Sequence, residues 1–117
     1  MHVGLGYPLI LPFIVQCIIA KDRVILIEEP EVHLHPKIEA DLADLITESS
    51  IERNNQFIIE THSEDLLLRI LKSIRQEKIN PDHVSVNYIT YCALIYINFL
   101  RIIFNNSFKN LRACCGF

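Results

Sequence analysis

The sequence predicts an α/β fold of parallel β-strands alternating with helices, and three observations carry that reading. A short, continuous, β-branched run, Val24–Ile27, stops abruptly at Glu28-Glu29. After Pro36, the residues Ile38, Leu42, Leu45 and Ile46 recur at helical spacing as one apolar stripe. A second short run, Phe57–Ile59, ends in Glu60-Thr61-His62 and leads into another helical pattern. Runs of this kind suit parallel strands buried on both faces, and helices are the usual connection between such strands.

The elements follow in chain order. Pro8 and Pro12 bracket the start of the first apolar stretch. Residues Phe13–Ala20 fit helix or strand by periodicity; helix is favoured because a buried helix commonly precedes a buried strand in α/β units. Lys21-Asp22 punctuates the chain, and Val24–Ile27 then reads as a central strand. Pro36 suits the first position of a helix, where its missing N–H has no intrahelical partner to lose. That helix is expected to run from about Pro36 to about Ser50, with Glu39, Asp41, Asp44 and Glu48 opposite its apolar stripe. Asn54-Asn55 marks a loop before a strand at Gln56–Glu60. Ser63 can cap the next helix, and Glu64 and Asp65 match its positive N-terminal end. Leu66, Leu67, Ile70, Leu71 and Ile74 form its apolar face, with Arg75 and Lys78 near the C-terminus. Asn80-Pro81-Asp82 is a turn, and Val84–Ile89 alternates enough for a third strand. From Tyr91 to Phe117 there are few charges and no clean period, so nothing assigns this stretch to the sheet. The chain thus divides into an α/β lobe, 1–90, and a divergent apolar tail, 91–117.

Bulk properties narrow the function classes. At 117 residues, half of them hydrophobic, the chain can form one small globular domain. A net charge of -3 argues against a dedicated nucleic-acid surface or an anionic-membrane binder, both of which need a basic stripe. The cysteines, Cys17, Cys92, Cys114 and Cys115, lack C-x-x-C spacing. They read as free thiols of a reducing cytosol rather than a zinc framework or a disulfide scaffold. Leu9–Ala20 and Tyr88–Phe104 are short for a spanning helix, which needs roughly 20 predominantly apolar residues. No Lys or Arg precedes the first, as the basic n-region of a signal peptide would require. Both are expected in the core, and the protein is expected in the cytoplasm, away from membranes.

In open α/β sheets ligands bind beyond the carboxyl ends of the strands. Here those ends carry Glu28-Glu29 and Glu60-Thr61-His62. Of two adjacent carboxylates, one can hold Mg²⁺ through its water shell while the next orients and polarises a water attacking a γ-phosphate. A solvated turn is the competing reading of Glu-Glu alone. A histidine just past a strand can donate a hydrogen bond to a phosphate oxygen, or be no more than a polar loop residue. His33 and His35 beside Glu31 would share a face on a strand and could bind Zn²⁺ there, but Pro36 favours a loop.

Residues 24–36, V-I-L-I-E-E-P-E-V-H-L-H-P, closely resemble the Walker B strand and D-loop of ABC-type AAA-family ATPases. The nearest likeness is the branch of overcoming-lysogenization-defect (OLD), RecF-like and SMC-like proteins. The resemblance implies a partial P-loop NTPase lobe. Within it, Glu28 takes the Mg²⁺-facing position, where many relatives have Asp, and Glu29 the catalytic, water-orienting position. Glu31, His33 and His35 fall in the D-loop, which signals across a dimer interface. F-I-I-E-T-H-S places His62 at the switch histidine, the γ-phosphate sensor. H-V-G-L-G-Y-P-L resembles the signature region: Gly4 and Gly6 match, whereas Pro8-Leu9 stands where the branch commonly has Ser-Gln.

The likeness covers roughly residues 2–90. No G-x-x-x-x-G-K-[ST] occurs in the sequence, and this is the loop that cradles the phosphates. The resemblance therefore implies ATP and Mg²⁺ as cofactors only alongside a P-loop-bearing lobe or partner, in a homo- or hetero-dimer with an indirect role at DNA. Little hydrolysis is expected of the chain alone. The alternative is a non-catalytic interaction module that docks on a P-loop-bearing partner chain.

Overall fold

The structure, a computed structural model, describes residues 6–90 and 98–104. Helix α1 spans Gly6–Ile19, strand β1 Val24–Glu28, helix α2 Pro36–Arg53, strand β2 Gln56–Thr61 and helix α3 Glu64–Arg75. A 3₁₀ turn at Pro81–His83 leads into β3, Val84–Thr90, and β4 is Asn98–Phe104. The strand order is β1-β2-β4-β3.

β1 and β2 pair in parallel, with Val24 opposite Gln56 and Glu28 opposite Glu60. β4 is antiparallel to both β2 and β3, so β1, β2 and β3 point the same way. The expected succession of parallel strands is thus right in direction but not in adjacency. β4, from the stretch without a period, lies between β2 and β3. Its sequence, N-F-L-R-I-I-F, has one charge in seven residues. A run so poor in charge suits a strand paired on both sides.

The end caps explain where the helices begin and stop. His35 is the N-cap of α2, its Nδ1 accepting from the Lys37 N–H at 3.3 Å, with Pro36 in the first turn. The helix continues past Ser50 to Arg53 and ends at Asn54, whose φ of 53° is the left-handed cap that asparagine tolerates. Ser63 caps α3 as expected: its Oγ accepts from the Leu66 N–H at 3.0 Å. α1 carries Pro12 in its interior, which forfeits a backbone bond. Burial of Ile10, Phe13 and Cys17 holds it in place.

All of these helices feed one core on a single face of the sheet. Phe57 and Ile59 of β2 are fully buried there, joined by Ile10, Phe13 and Cys17 from α1, Leu42, Ala43 and Ile46 from α2, and Leu66 and Ile70 from α3. Phe13 meets Phe57 edge to face, ring centroids 6.1 Å apart at 75°. The in-register neighbours Ile25 and Ile27 pack against the same cluster. Val24 and Leu26 face the other way and are 57% and 71% exposed. The expectation of a central strand buried on both faces is therefore corrected: among the described residues β1 is an edge strand covered on one face. A short apolar run cannot distinguish one covered face from two.

Two further expectations change for a common reason, the packing of α2 on α3. Glu39 and Asp44, placed by periodicity on the solvent side of α2, are half-buried against α3. Ser63 Oγ donates to Glu39 Oε2. Arg69 grips Asp44 with Nε–H to Oδ1 at 2.9 Å and an Nη2–H to Oδ2 at 2.6 Å. On α3, Leu71 is 43% exposed, with nothing among the described residues covering that flank, while Ser73 is buried. The hydrogen bond from Arg69 holds the Asp44 carboxyl below its ordinary value; partial burial opposes this, and attraction to Arg69, Lys78 and Lys72 adds to it.

Below the strands, Asn55 is a fully buried hub. Its Oδ1 accepts from the Arg23 N–H at 3.0 Å, and its Nδ2 donates to Ala20 O at 2.8 Å and Ser49 Oγ at 3.0 Å. Ser49 Oγ in turn donates to Cys17 O at 2.8 Å. One side chain thereby ties the end of α1, the start of β1 and the end of α2. Burial pushes the Cys17 thiol up to about 12. Among the described residues no helix is long and apolar enough to cross a membrane.

Asn55→Ala is expected to destabilise the chain by about 2–3 kcal/mol, because it strands buried partners; urea unfolding followed by circular dichroism measures it. For Asp44, the depressed folded value means its stabilisation is present above the unfolded carboxylate value and is lost as pH falls through the folded one. The melting-temperature deficit of Asp44→Asn should accordingly be present at neutral pH and shrink on acidification below about pH 4.

Candidate functional site

The parallel pairing of β1 and β2 brings two loops together at the carboxyl end of the sheet. The ladder extends one residue beyond β1: the Glu29 N–H donates to Glu60 O at 2.7 Å. Immediately afterwards the chain turns sharply. Glu29 has a φ of 44°, uncommon for any residue but glycine, and Pro30 behind it is buried. Two further bonds close the turn, Val32 N–H to Glu29 O at 3.2 Å and Leu34 N–H to Glu31 O at 2.9 Å. His33 takes a φ of 65° within it. This strained turn projects Glu29 outward at the end of β1.

Across from it, β2 delivers His62. Its Nε2 stands 3.2 Å from Glu29 Oε1, and the two side chains are 46% and 49% exposed. They touch each other and remain open to a ligand. The His62 main chain is held as well. Its N–H donates to Glu31 Oε1 at 2.7 Å. On its far side, the Ser63 N–H donates to the Oγ1 of fully buried Thr61 at 3.0 Å, and Ser63 Oγ reaches Glu39.

Glu28, the Mg²⁺-facing candidate, is exposed on the bare face of the sheet, with Glu60 as its register partner on β2. Two hard carboxylates in register suit Mg²⁺, which keeps most of its waters and takes one or two carboxylates plus phosphate oxygens. Their donor type is thus one that Mg²⁺ takes. Among the described residues no group of three or more His, Cys, Asp or Glu side chains gathers as a self-sufficient metal cage. His33 is exposed in the turn, and His35 Nδ1 is engaged in capping α2. Gly6 is the first residue of α1; Gly4 lies outside the described residues.

The structure thus brings Glu29, Glu31 and His62 into direct contact and sets Glu28 beside them on β1. Two participants had no signal in the sequence. Glu39 lies 24 residues from Ser63, and only the α2–α3 packing makes them neighbours. Thr61 reads as one more polar residue after a strand, yet its hydroxyl fixes the turn into α3.

Compared with models of known protein families, residues 1–67 match the AAA ATPase domain. No curated protein and no solved structure gives a significant match. The matched span covers more than half of the chain and takes in β1, the strained turn, α2, β2 and His62. With a carboxylate and a histidine meeting at adjacent strand ends inside that span, the chain belongs to the AAA ATPase domain family.

Proposed function

We propose that this chain supplies the water-orienting and γ-phosphate-sensing half of an ATP-hydrolysing site of the ABC type, in the OLD/RecF/SMC-like branch. The observation that carries the reading is the 3.2 Å approach of His62 Nε2 to Glu29 Oε1 beyond the ends of two parallel strands. A carboxylate there can accept a hydrogen bond from a water and raise its nucleophilicity. A histidine whose ring nitrogen is within reach of the same point can donate to a phosphate oxygen. In this reading Glu28 holds Mg²⁺ through water, and the ion, when bound, neutralises charge on the phosphate oxygens. Glu31, His33 and His35 form the D-loop. Gly4 and Gly6 belong to the signature region that opens α1.

The cradle for the phosphates comes from a P-loop-bearing lobe or partner, because catalysis of phosphoryl transfer rests on positioning by backbone N–H groups and a lysine. The assembled protein is a homo- or hetero-dimer of the cytoplasm, acting indirectly at DNA.

A second reading has its own support. The exposed Val24 and Leu26 on edge strand β1 fit a module that docks on a P-loop-bearing partner without doing chemistry.

Two measurements separate these readings. With the P-loop-bearing lobe of an AAA ATPase domain co-expressed and co-purified, Glu29→Gln should lower kcat about 10²–10⁴-fold while nucleotide binding persists. The 117-residue chain alone should show no turnover above background. An unchanged rate in Glu29→Gln would remove Glu29 from the chemistry and leave the docking module. Leu26→Asp, at a side chain 71% exposed, should leave the circular dichroism spectrum unchanged and abolish co-purification; a complex that survives it would place the contact elsewhere.

A further inference from the structure

Three features of Glu31 do not fit an ordinary surface glutamate. Its Oε1 accepts the main-chain N–H of His62, 31 residues away, at 2.7 Å. Its Oε2 is shut off from solvent and has no hydrogen-bond partner among the described residues. Its own backbone is pinned, since Glu31 O accepts from the Leu34 N–H at 2.9 Å. A carboxylate on a free loop would turn both oxygens to water. Here one oxygen is kept dry and unpaired, so the bond made by the other must hold the side chain inward.

The bond also reaches the right place. The His62 ring is already against Glu29, but a ring contact leaves the backbone free to shift. The Glu31 bond fixes the backbone instead, at the residue where β2 has ended and α3 has not begun. Downstream, Ser63 is secured by Thr61 and Glu39. Glu31 is therefore the only tie that runs directly from the turn after β1 to the His62 main chain among the bonds of the described residues.

We propose that Glu31 is the positioning residue of His62: its carboxylate oxygen sets the height of the His62 backbone so that Nε2 meets the point at which Glu29 holds its proton acceptor. The kinetic consequence rests on the ATP-site reading above; the structural consequence does not. The bond needs an acceptor oxygen and no negative charge, so Gln can make it and Ala cannot.

The test uses the 117-residue chain without nucleotide. Glu31→Ala should speed hydrogen exchange at the His62 amide about tenfold, with exchange at Ile58 in the β1–β2 ladder unchanged. It should also shift the imidazole ¹³C resonances of His62 as the ring leaves Glu29. Glu31→Gln should return both to the parent values. Unaltered His62 exchange in Glu31→Ala overturns the proposal, as does a Glu31→Gln variant that behaves like Ala. Should Glu31→Ala fail to fold, Glu31→Gln alone decides: parent-like exchange at His62 supports the acceptor role, and lost protection overturns it. In the co-purified assembly with the P-loop-bearing lobe, Glu31→Ala should lower kcat with KM held, and Gln should restore it. Absence of any ATPase activity in the parent assembly would sink the ATP reading and leave the exchange result standing.

Discussion

The rung between the Glu29 N–H and the Glu60 carbonyl is the interaction on which the rest of the site depends. It continues the parallel ladder one residue past the strand, at 2.7 Å. Because of it, the chain after β1 leaves the sheet at a fixed height relative to β2, and the loops at both strand ends are brought within reach of each other. The register behind it is secured by Ile25 beside Phe57 and Ile27 beside Ile59, whose side chains share the covered face. A slip of one residue would turn those isoleucines to the bare face and bring Leu26 inward. It would also separate Glu29 from His62. Hydrophobic packing on one face thus sets the geometry of polar groups at the edge of the sheet.

Much of this was legible in the sequence, and the part that was not has a physical cause. Val24–Ile27, the Pro36 helix, Phe57–Ile59 and the Ser63 cap are local signals, and each appears where its local signal lies. The strand-end position marked Glu28-Glu29 and Glu60-Thr61-His62 as ligand-facing candidates, and the resemblance of the surrounding motifs singled out Glu29 and His62 among them. What local patterns lack is information about neighbours. They could not tell that β1 is bare on one face, that α3 packs on the acidic side of α2, or that β4 enters between β2 and β3. The contacts of Glu39 with Ser63 and of Asn55 with Ala20 and Arg23 join residues 24 to 35 positions apart. Such contacts exist only once the fold does.

The two ends of the β1–β2 pair are held by different means. At the amino end, Asn55 satisfies its partners from a fully buried position, backed by the Asp22 N–H to Arg53 O bond at 3.0 Å and the Gln56 N–H to Arg23 O bond at 2.8 Å. At the carboxyl end the contact between His62 and Glu29 is made by side chains half open to water. A fully satisfied, dry network resists opening, whereas exposed contacts exchange readily with solvent or a ligand. The base of the sheet is the fixed reference, and adjustment belongs to the top.

The backbone of Glu29 carries a cost in stability. At a φ of 44° a glycine would sit without steric penalty, whereas any side chain there costs about 1–2 kcal/mol. The fold on its own would favour glycine there. The conformation also restricts substitution: β-branched residues are disfavoured by sterics, glycine and asparagine abolish the carboxylate, and aspartate keeps it on a shorter arm. Glu77, at a φ of 58° just past α3, carries the same kind of cost, so the chain holds two glutamates where a glycine would fold more easily.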